Sequence, residues 1–407
     1  MPYRALRRRL NRRSFVGGSL GAATAAVLPP GGVFAGGGDT IRIGIVGCGG
    51  RGTGAAIQAA AADPGVVITA VGGLFLDEVA SSADRLAAAL GPRFACSTAG
   101  RCIGPTAADR VIAADVDAVI LATPPHLRPG HVAAAVAAGR HVYCETPAAV
   151  DAAGVGAILA AADEAARRGL SFVSGLLGRR DAATVATIAS IHDGGLGRVT
   201  GAAAVARVLP PWRREPQAGW TAAEARLRNW VADERLSGGP FVEHHIHAID
   251  RALWALGDEP PVAAVALRGP VPLPSAAAPR VAAVRLLFAD GRWIDVGIDR
   301  RAGVETGSAE TVHGTHGDAD LRDHVVAGRP VRGSGGPSDP LAAAAAALVQ
   351  SLRSGTRVDD LPAVCRSTLA AVMARMACET PGPVRWRDLE PAGTTIQPLR
   401  PLQWDAV

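Results

Sequence analysis

Three ionisable side chains recur at helical spacing in the segment from Gly239 to Asp250. Glu243, His247 and Asp250 stand at positions i, i+4 and i+7, so one continuous helix would place them on a single face. A carboxylate one turn away from an imidazole can fix its tautomer and raise its pKa, which suits a general base. The spacing predicts that His247 transfers protons, with Glu243 behind it. The alternative is a polar helix face that only bonds to neighbouring strands.

The composition narrows the choice of proton-transfer groups. All 42 basic residues among the 407 are arginine, and the two tyrosines are Tyr3 and Tyr143. Without lysine no Schiff base and no ammonium acid can form, so proton transfer must rest on histidine, carboxylates, cysteine or water. On a helix, the side chains of His245 and His247 would point to different faces and could not bind one metal ion together. The six cysteines show no C-x-x-C spacing. The sequence therefore predicts no metal site, and cysteines that are small buried hydrophobes.

A glycine-rich turn between a strand and a helix forms the second candidate site. The run Ile41 to Val46 is β-branched, as in a buried parallel strand, and Ala55 to Ala62 is helix-like. Between them Gly47, Gly49 and Gly52 have G-x-G-x-x-G spacing. In a dinucleotide-binding unit these glycines make the tight turn, admit a pyrophosphate and let the helix pack on the strand. The pattern predicts a dinucleotide site; the alternative is a glycine-rich turn that binds nothing.

The second predicted strand, residues 66–71, lacks the acid that usually holds the ribose 2′-hydroxyl of NAD. It runs instead into Gly72, Gly73 and Leu74, and no arginine stands there to bind a 2′-phosphate. The first acids, Asp77 and Glu78, are expected to begin the next helix. On these residues alone the choice between NAD and NADP is open.

Strand and helix signals alternate from residue 41 to about 177, which predicts an α/β domain with a doubly wound parallel sheet. Gly47, Thr123 and Glu145 fall at strand ends and are expected to line one crevice. Beyond residue 177 adjacent strand signals predict an α+β domain with an open, largely antiparallel sheet. We place the dinucleotide domain at 36–165 and the substrate and oligomerisation domain at 166–407, with closing helices at 341–379.

Residues 1–35 are predicted to be a targeting segment. Arg12 and Arg13 precede a weakly apolar stretch and a small-residue cleavage site at 33–35. This pattern resembles a twin-arginine export signal and predicts a periplasmic or secreted protein, the alternative being a disordered basic tail. The stretch is too short and glycine-rich for stable membrane insertion. It carries six arginines and no acid, so the formal charge of +5 becomes −1 without it, which gives no argument for nucleic-acid binding.

A third motif, Glu145 to Pro147 at a strand end, makes a family resemblance specific. With the glycine loop and Thr123 to Pro125 it resembles the Gfo/Idh/MocA oxidoreductases, and most closely their exported bacterial branch. Segments 228–230, 236–247 and 312–315 follow the same branch. The resemblance spans nearly all of the chain after the targeting segment. It implies a Rossmann domain, a tightly held NAD or NADP with NAD favoured, a small carbohydrate substrate and a possible homo-oligomer.

The resemblance also implies a role for each matching residue. His247 is the implied acid/base, and Glu243 takes the place of the usual aspartate. Thr146 replaces the motif lysine that contacts the reacting hydroxyl in typical members. The residues implied to bind the cofactor are Gly47, Gly49, Gly50, Arg51, Gly52, Thr123, Pro124, His126, Glu145 and Pro147. Those implied to bind substrate are Thr146, Asp250, Arg179, Asn229 and Trp230.

Three functions follow from these features. The leading interpretation is an NAD(P)-dependent oxidoreductase, in which a sugar or polyol carbon gives hydride to the nicotinamide while His247 takes the hydroxyl proton. The second is an NAD-retaining glycoside hydrolase of the same family, in which oxidation at C3 acidifies the neighbouring proton and lets the aglycone be eliminated. Thr146 favours it, since some such relatives lack the motif lysine. The third is a non-catalytic sugar- or nucleotide-binding paralogue. It is favoured by the absence of the motif lysine, where Thr146 stands, and of an acid at the end of the second predicted strand.

Overall fold

A parallel sheet of six strands lies in the first part of the chain. The computed structural model describes residues 40–207, 211–267, 281–299, 307–333 and 339–389, so the predicted targeting segment lies outside the described residues. The strands are β1 (Ile41–Val46), β2 (Val66–Gly73), β3 (Arg101–Ile103), β4 (Ala118–Leu121), β5 (His141–Cys144) and β6 (Phe172–Ser174). Their order is β3-β2-β1-β4-β5-β6, with every pair of neighbours parallel. This confirms the doubly wound parallel sheet and leaves a crevice between β1 and β4.

Helices cover both faces of this first sheet. They are α1 (Gly50–Ala62), α2 (Leu76–Leu90), α3 (Ala107–Ala113), α4 (Arg128–Ala137) and α5 (Ala152–Arg167). Successive strand residues point to opposite faces, so Ile45 packs in one apolar cluster and Val46 in the other. Both faces are buried, which explains why β1 reads as a continuous β-branched run. The sheet also includes β6, which lies beyond the domain division predicted at residue 165.

A second, nine-stranded sheet follows. Its strands are β7 (Val199–Arg207), β8 (Ala263–Ala266), β9 (Val281–Leu287), β10 (Trp293–Asp299), β11 (Gly307–Gly314), β12 (Gly317–Asp320), β13 (Val325–Val326), β14 (Arg329–Pro330) and β15 (Val384–Arg385). The order is β14-β13-β12-β11-β7-β10-β9-β8-β15, and only the pair of β7 and β10 is parallel. The predicted α+β domain with a largely antiparallel sheet is confirmed.

Seven further helices complete the described chain. They are α6 (Ala182–Ser190), α7 (Ala222–Arg228), α8 (Glu234–Ser237), α9 (Gly239–Glu243), α10 (Ile246–Ala255), α11 (Pro340–Ser354) and α12 (Leu361–Glu379). Leu253 of α10 and Met373 of α12 pack with Ile294 on the inner face of the second sheet. Leu348 of α11 instead packs with Ala59 of α1, so this closing helix belongs to the core of the first sheet. By length and apolar composition α12 could cross a membrane, but 72% of its most apolar window is buried inside the protein.

The segment from Gly239 to Asp250, for which the spacing of ionisable residues predicts one continuous helix, is divided between two helices. His244 and His245 separate α9 from α10, and both of their N–H groups bond to the carbonyl of Pro240. The imidazole of His245 is buried and its Nε2 donates to the carbonyl of Ala204 in β7, at 2.8 Å. This contact with the sheet holds the break in place. The prediction that Glu243 and His247 share the face of one continuous helix is therefore wrong.

Candidate active site

A cavity of about 1090 Å³ lies at the carboxyl ends of β1, β2 and β4. Its volume is at the upper end of the range for small-molecule sites. One wall contains the glycine loop, residues 47–51, and the segments that follow β2 and β4. The opposite wall contains residues from the stretch 212–236, which comes directly before helix α9 in the sequence. The cavity thus occupies the crevice that a doubly wound sheet uses for ligands.

The glycine loop has the steric properties that a dinucleotide requires. Gly47 has a φ of +103°, and a Cβ there would lie 2.5 Å from the carbonyl carbon of Ala122. A Cβ on Gly52 would lie 2.2 Å from the carbonyl oxygen of Gly47, so both positions need glycine. A Cβ on Gly49 or Gly50 would meet no atom within 4 Å. The protein therefore leaves space beside the start of α1, where a pyrophosphate can approach the helix N-terminus.

A buried arginine joins the ends of β4 and β5. Nε of Arg128 donates to the carbonyl of Thr123 at 2.8 Å, and Nη1 donates to the carbonyls of Glu145, at 3.0 Å, and Pro147. The hydroxyl of Thr123 lies 3.1 Å from Nδ1 of His131, whose pKa burial lowers to about 4. Sequence reasoning missed Arg128, because all of its acceptors are main-chain carbonyls that residue types do not reveal.

Glu145 has a buried carboxyl group beside the glycine loop. The hydroxyl of Tyr143 donates to its Oε1 at 3.0 Å, and Nε of Arg51 lies 3.8 Å from the same oxygen. Burial is the main effect on this carboxyl group and raises its pKa. A Cβ on Gly175 would lie 2.6 Å from Oε2, so the carboxyl group is enclosed on that side as well. Tyr143 is therefore a positioning residue for Glu145, in keeping with the prediction that proton transfer does not rest on tyrosine.

His247 lies next to Thr146 at the end of β5. Its Nε2 is 3.4 Å from the hydroxyl oxygen of Thr146, which is also 3.5 Å from the carbonyl of Gly175. Burial lowers the pKa of His247 to about 4, and the cations Arg251 and Arg51 act in the same direction. The two predicted substrate-side residues are thus brought together, and the imidazole is neutral at pH 7.

Glu243 does not support His247 as predicted. Its Oε2 lies 3.5 Å from Nδ1 of His244, a half-exposed side chain in the break between α9 and α10. Its charge raises the pKa of His247, but burial and the two arginines outweigh it. The prediction of a raised pKa for His247 is therefore wrong, since desolvation of the ring decides the direction.

Two residues implied to bind substrate form a buried ion-pair network. Nε and Nη2 of Arg179 donate to the carboxylate of Asp250 at 2.8–3.0 Å, and Nη1 and Nη2 donate to Asp258 at 2.9 and 2.6 Å. The hydroxyl of Ser367 in α12 donates to Asp250 at 2.7 Å. Asp250 is 1% exposed and does not line the cavity, and the network ties α10 to α12 and to the segment after β6. The implied contact of Arg179 and Asp250 with a substrate stays a prediction.

Asn229 is also engaged within the protein. Its Oδ1 accepts the N–H of Arg214 at 2.6 Å, and its Nδ2 donates to the carbonyls of Arg214 and Ala225 at 3.0 and 2.9 Å. These bonds link the stretch before α7 to α7 itself. The implied contact of Asn229 with a substrate stays a prediction. Trp230 does line the cavity. So does His126, whose Nδ1 donates to a main-chain carbonyl at 3.2 Å.

The predicted cofactor residues meet at the cavity with few exceptions. Those on its wall are Gly47, Gly49, Gly50, Arg51, Thr123, Pro124 and His126. Gly52, Glu145 and Pro147 stand directly behind the wall, where they fix the loop and the ends of the strands. No group of three or more side chains that could hold a metal ion occurs among the described residues. The arrangement suits a bound dinucleotide with a hydroxyl-bearing substrate beside it.

Comparisons with known proteins agree with this geometry. Residues 41–172 match the model of an oxidoreductase family with an NAD-binding Rossmann fold, and residues 186–320 match the Gfo/Idh/MocA C-terminal domain. Together the two matches span well over half of the chain. No curated protein sequence is matched significantly.

Several solved structures share the fold over most of their length. A levoglucosan dehydrogenase in complex with NADH and levoglucosan is 18% identical, with a TM-score of 0.64, over 85% of this chain and 99% of that chain. A putative myo-inositol dehydrogenase from Sinorhizobium meliloti 1021 is 22% identical, with a TM-score of 0.60 and the same coverage. The scyllo-inositol dehydrogenase from Lactobacillus casei is 20% identical, with a TM-score of 0.62, over 86% and 98%. With its nucleotide crevice, two-sheet architecture and both family domains, this chain belongs to the Gfo/Idh/MocA family of NAD-binding oxidoreductases.

Proposed function

We propose that this protein oxidises a hydroxyl group of a sugar or polyol, with a tightly held NAD as the hydride acceptor. The observation that carries the proposal is the contact of 3.4 Å between Thr146 and His247, at the strand end beside the nucleotide crevice. The structural neighbours that act on levoglucosan and inositols support a carbohydrate as the substrate. When bound, the nicotinamide ring of NAD supplies the hydride acceptor.

The residues of the chain have separate tasks in this reaction. The neutral imidazole of His247 accepts the proton of the substrate hydroxyl as the carbon–hydrogen bond breaks. Its pKa of about 4 keeps the ring in the accepting form at neutral pH, but makes it a weak base. Thr146 holds the ring or the substrate hydroxyl through its own hydroxyl group. Arg51 places a positive charge beside the glycine loop, where it would offset the charge of a bound pyrophosphate.

The direct test uses the purified full-length protein. Mass spectrometry of the nucleotide released on denaturation identifies the retained cofactor. The intact protein is then mixed with a panel of sugars and polyols, and the absorbance band of the reduced nicotinamide is followed. We expect NAD to be released and at least one compound to reduce it in place. A protein that holds NAD but is reduced by no compound in a broad panel would contradict this function.

The second candidate, an NAD-retaining glycoside hydrolase, is favoured by Thr146 in the place of the motif lysine. In that reaction the oxidised sugar is an intermediate, so the cofactor returns to its starting state in each turnover. Aryl glycosides separate the two functions, because the hydrolase releases the phenol without net reduction of the nicotinamide. Release of the phenol with the sugar unoxidised would select the hydrolase over the dehydrogenase.

We also propose export through the twin-arginine route. The support is the pair Arg12 and Arg13 ahead of a weakly apolar stretch. That route carries folded proteins, which suits a protein that acquires its cofactor before export. Replacing both arginines with glutamine should leave the precursor in the cytoplasm, and an unchanged periplasmic yield would exclude the route.

A further inference from the structure

The end of β2 offers no acceptor for the adenosine ribose. In a doubly wound sheet this ribose lies at the end of the second strand, where a carboxylate usually receives its hydroxyls. Here Gly72 and Gly73 end the strand and line the cavity. A Cβ on Gly73 would lie 3.1 Å from Cγ2 of Val79 and 3.5 Å from Cβ of Cys48. An acid at position 73 would therefore be directed into apolar contacts, so any carboxylate for the ribose must come from another position.

Glu78 is a carboxylate on the cavity wall at this end. It lies in the first turn of α2, a few residues after the end of β2. It lines the cavity together with Leu74 and Phe75. Its Oε1 accepts Nη1 of Arg214 at 2.7 Å, which fixes the side chain. Among the described residues no donor contacts its Oε2. An ionised carboxylate has about four acceptor sites, so Glu78 retains the capacity to accept both hydroxyls of a ribose.

The neighbouring acid does not have this capacity. Asp77 is absent from the cavity wall, and its two oxygens accept Nη1 and Nη2 of Arg228, each at 2.9 Å. Arg228 is itself fixed between the rings of Phe75 and Trp220, at 3.8 and 4.6 Å from their centroids. Glu78 is thus the acid at this end of the cavity that faces the ligand space with an available oxygen.

The arginines of the opposite wall are already paired with carboxylates. Each guanidinium on this wall has an acidic partner within 4 Å, and the pairs are Arg214 with Glu78, Arg226 with Asp233, Arg228 with Asp77, Glu224 and Glu78, and Arg235 with Asp233. A 2′-phosphate would therefore have to compete with Glu78 for Arg214, because every guanidinium on this wall among the described residues already has an acidic partner. Such an environment disfavours a phosphate, since its binding would break an existing ion pair.

We propose that Glu78 binds the adenosine ribose in place of the missing strand-end acid and makes the site selective for NAD over NADP. This rests on the proposed retention of a nicotinamide nucleotide and adds the residue that recognises its ribose. Arg214 acts through Glu78, as the positioning residue that holds its carboxylate against the cavity. The recognition is therefore contributed by α2 and by the stretch before α7 together.

The test compares nucleotide selection by three forms of the full-length protein. The wild type, Glu78→Gln and Asp84→Asn are each stripped of retained nucleotide, incubated with equimolar NAD and NADP, freed of unbound nucleotide and denatured. The released nucleotides are then quantified by mass spectrometry. Asp84 is an exposed acid on the same helix and absent from the cavity wall, so its variant controls for a change of charge alone. A charged hydrogen bond of this kind corresponds to about a tenfold change in affinity or more.

We expect the wild type and Asp84→Asn to release mainly NAD, and Glu78→Gln to shift the NAD to NADP ratio by about tenfold toward NADP. An unchanged ratio in Glu78→Gln, or an equal shift in Asp84→Asn, would overturn the assignment while leaving the proposed oxidoreductase intact. A wild-type protein that selects NADP would overturn it as well. A protein that releases neither nucleotide would overturn the proposed function, and this assignment with it.

Discussion

The hydroxyl oxygen of Thr146 lies 3.4 Å from Nε2 of His247, although 101 residues separate the two in the sequence. Typical family members carry a lysine at the position of Thr146. An ammonium group at that distance would disfavour protonation of the imidazole further, whereas a hydroxyl can accept from it or donate to it. The chain therefore places two uncharged groups side by side, and in the proposed reaction His247 would accept the hydroxyl proton with a threonine hydroxyl instead of an ammonium group in contact with it.

Replacing His247 with alanine should remove most of the turnover. Loss of a general base lowers a rate by about 10²–10⁴-fold, and the glycine loop that holds the nucleotide is untouched. Steady-state rates and the amount of nucleotide that copurifies are the two measurements. His244→Ala is the matched control, because this imidazole is half-exposed and contacts Glu243. A His247 variant with near wild-type turnover would show that this side chain is structural.

The pH dependence of the rate should follow the lowered pKa of His247. Its neutral form is the proton acceptor, so kcat/KM should be level from neutral pH down and fall only as the pH approaches about 4. The stability of the folded protein should also decrease as the pH falls. The unfolded chain binds protons at its histidines below about pH 6.5, whereas folded His131 and His247 remain neutral to about pH 4. The free energy of unfolding should therefore decrease between pH 6.5 and 4, in denaturant titrations made at each pH; an acid limb of the rate near pH 6.5 would contradict the assignment.

Gly49→Val should abolish nucleotide binding without harm to the fold. Gly49 has a φ of −73°, which any residue adopts, and its added Cβ meets no protein atom within 4 Å. The valine side chain would instead occupy the space that the pyrophosphate needs. Retained nucleotide and melting temperature are measured, with Gly307→Val as the control, since position 307 is also open but lies in β11. Wild-type nucleotide content in a folded Gly49 variant would disprove the loop assignment.

Arg228→Gln should destabilise the protein and weaken nucleotide retention together. The change leaves Glu224 without its partner at 2.8 Å and removes the cation between Phe75 and Trp220. Breaking a largely buried ion pair with ring contacts costs about 2–4 kcal/mol. Urea unfolding measures the cost, and Arg228→Lys should restore little of it because an ammonium cannot bond two carboxylates and stack at once. Unchanged stability in both variants would show that this side chain does not hold the cavity wall together.

The nucleotide half was predictable because its signals are local. The order of strand, glycine turn and helix from Ile41 to Ala62 fixes both the elements and the crevice that they border, and the structure confirms them. The antiparallel character of the second sheet followed equally from strand signals without helices between them. Local patterns of this kind depend on residues that are close in sequence.

The details of the substrate side depend on contacts that the sequence does not encode locally. The break at His244 and His245 arises from a bond to Ala204, 41 residues earlier than His245. Asp250 has helical spacing from His247, but Arg179, 71 residues away, draws it into a buried network. The helical spacing holds within each helix, whereas the contacts of His245 and Asp250 are with residues far away in the sequence.

Arg128 changes the electrostatic potential at the ends of β4 and β5. Carbonyl groups at the ends of parallel strands direct the negative ends of their dipoles toward whatever binds there. One guanidinium takes up three of these oxygens, those of Thr123, Glu145 and Pro147. Burial lowers the pKa of Arg128 from its ordinary high value, but an arginine remains protonated at neutral pH. An anionic dinucleotide would therefore approach strand ends whose negative potential is already offset at neutral pH.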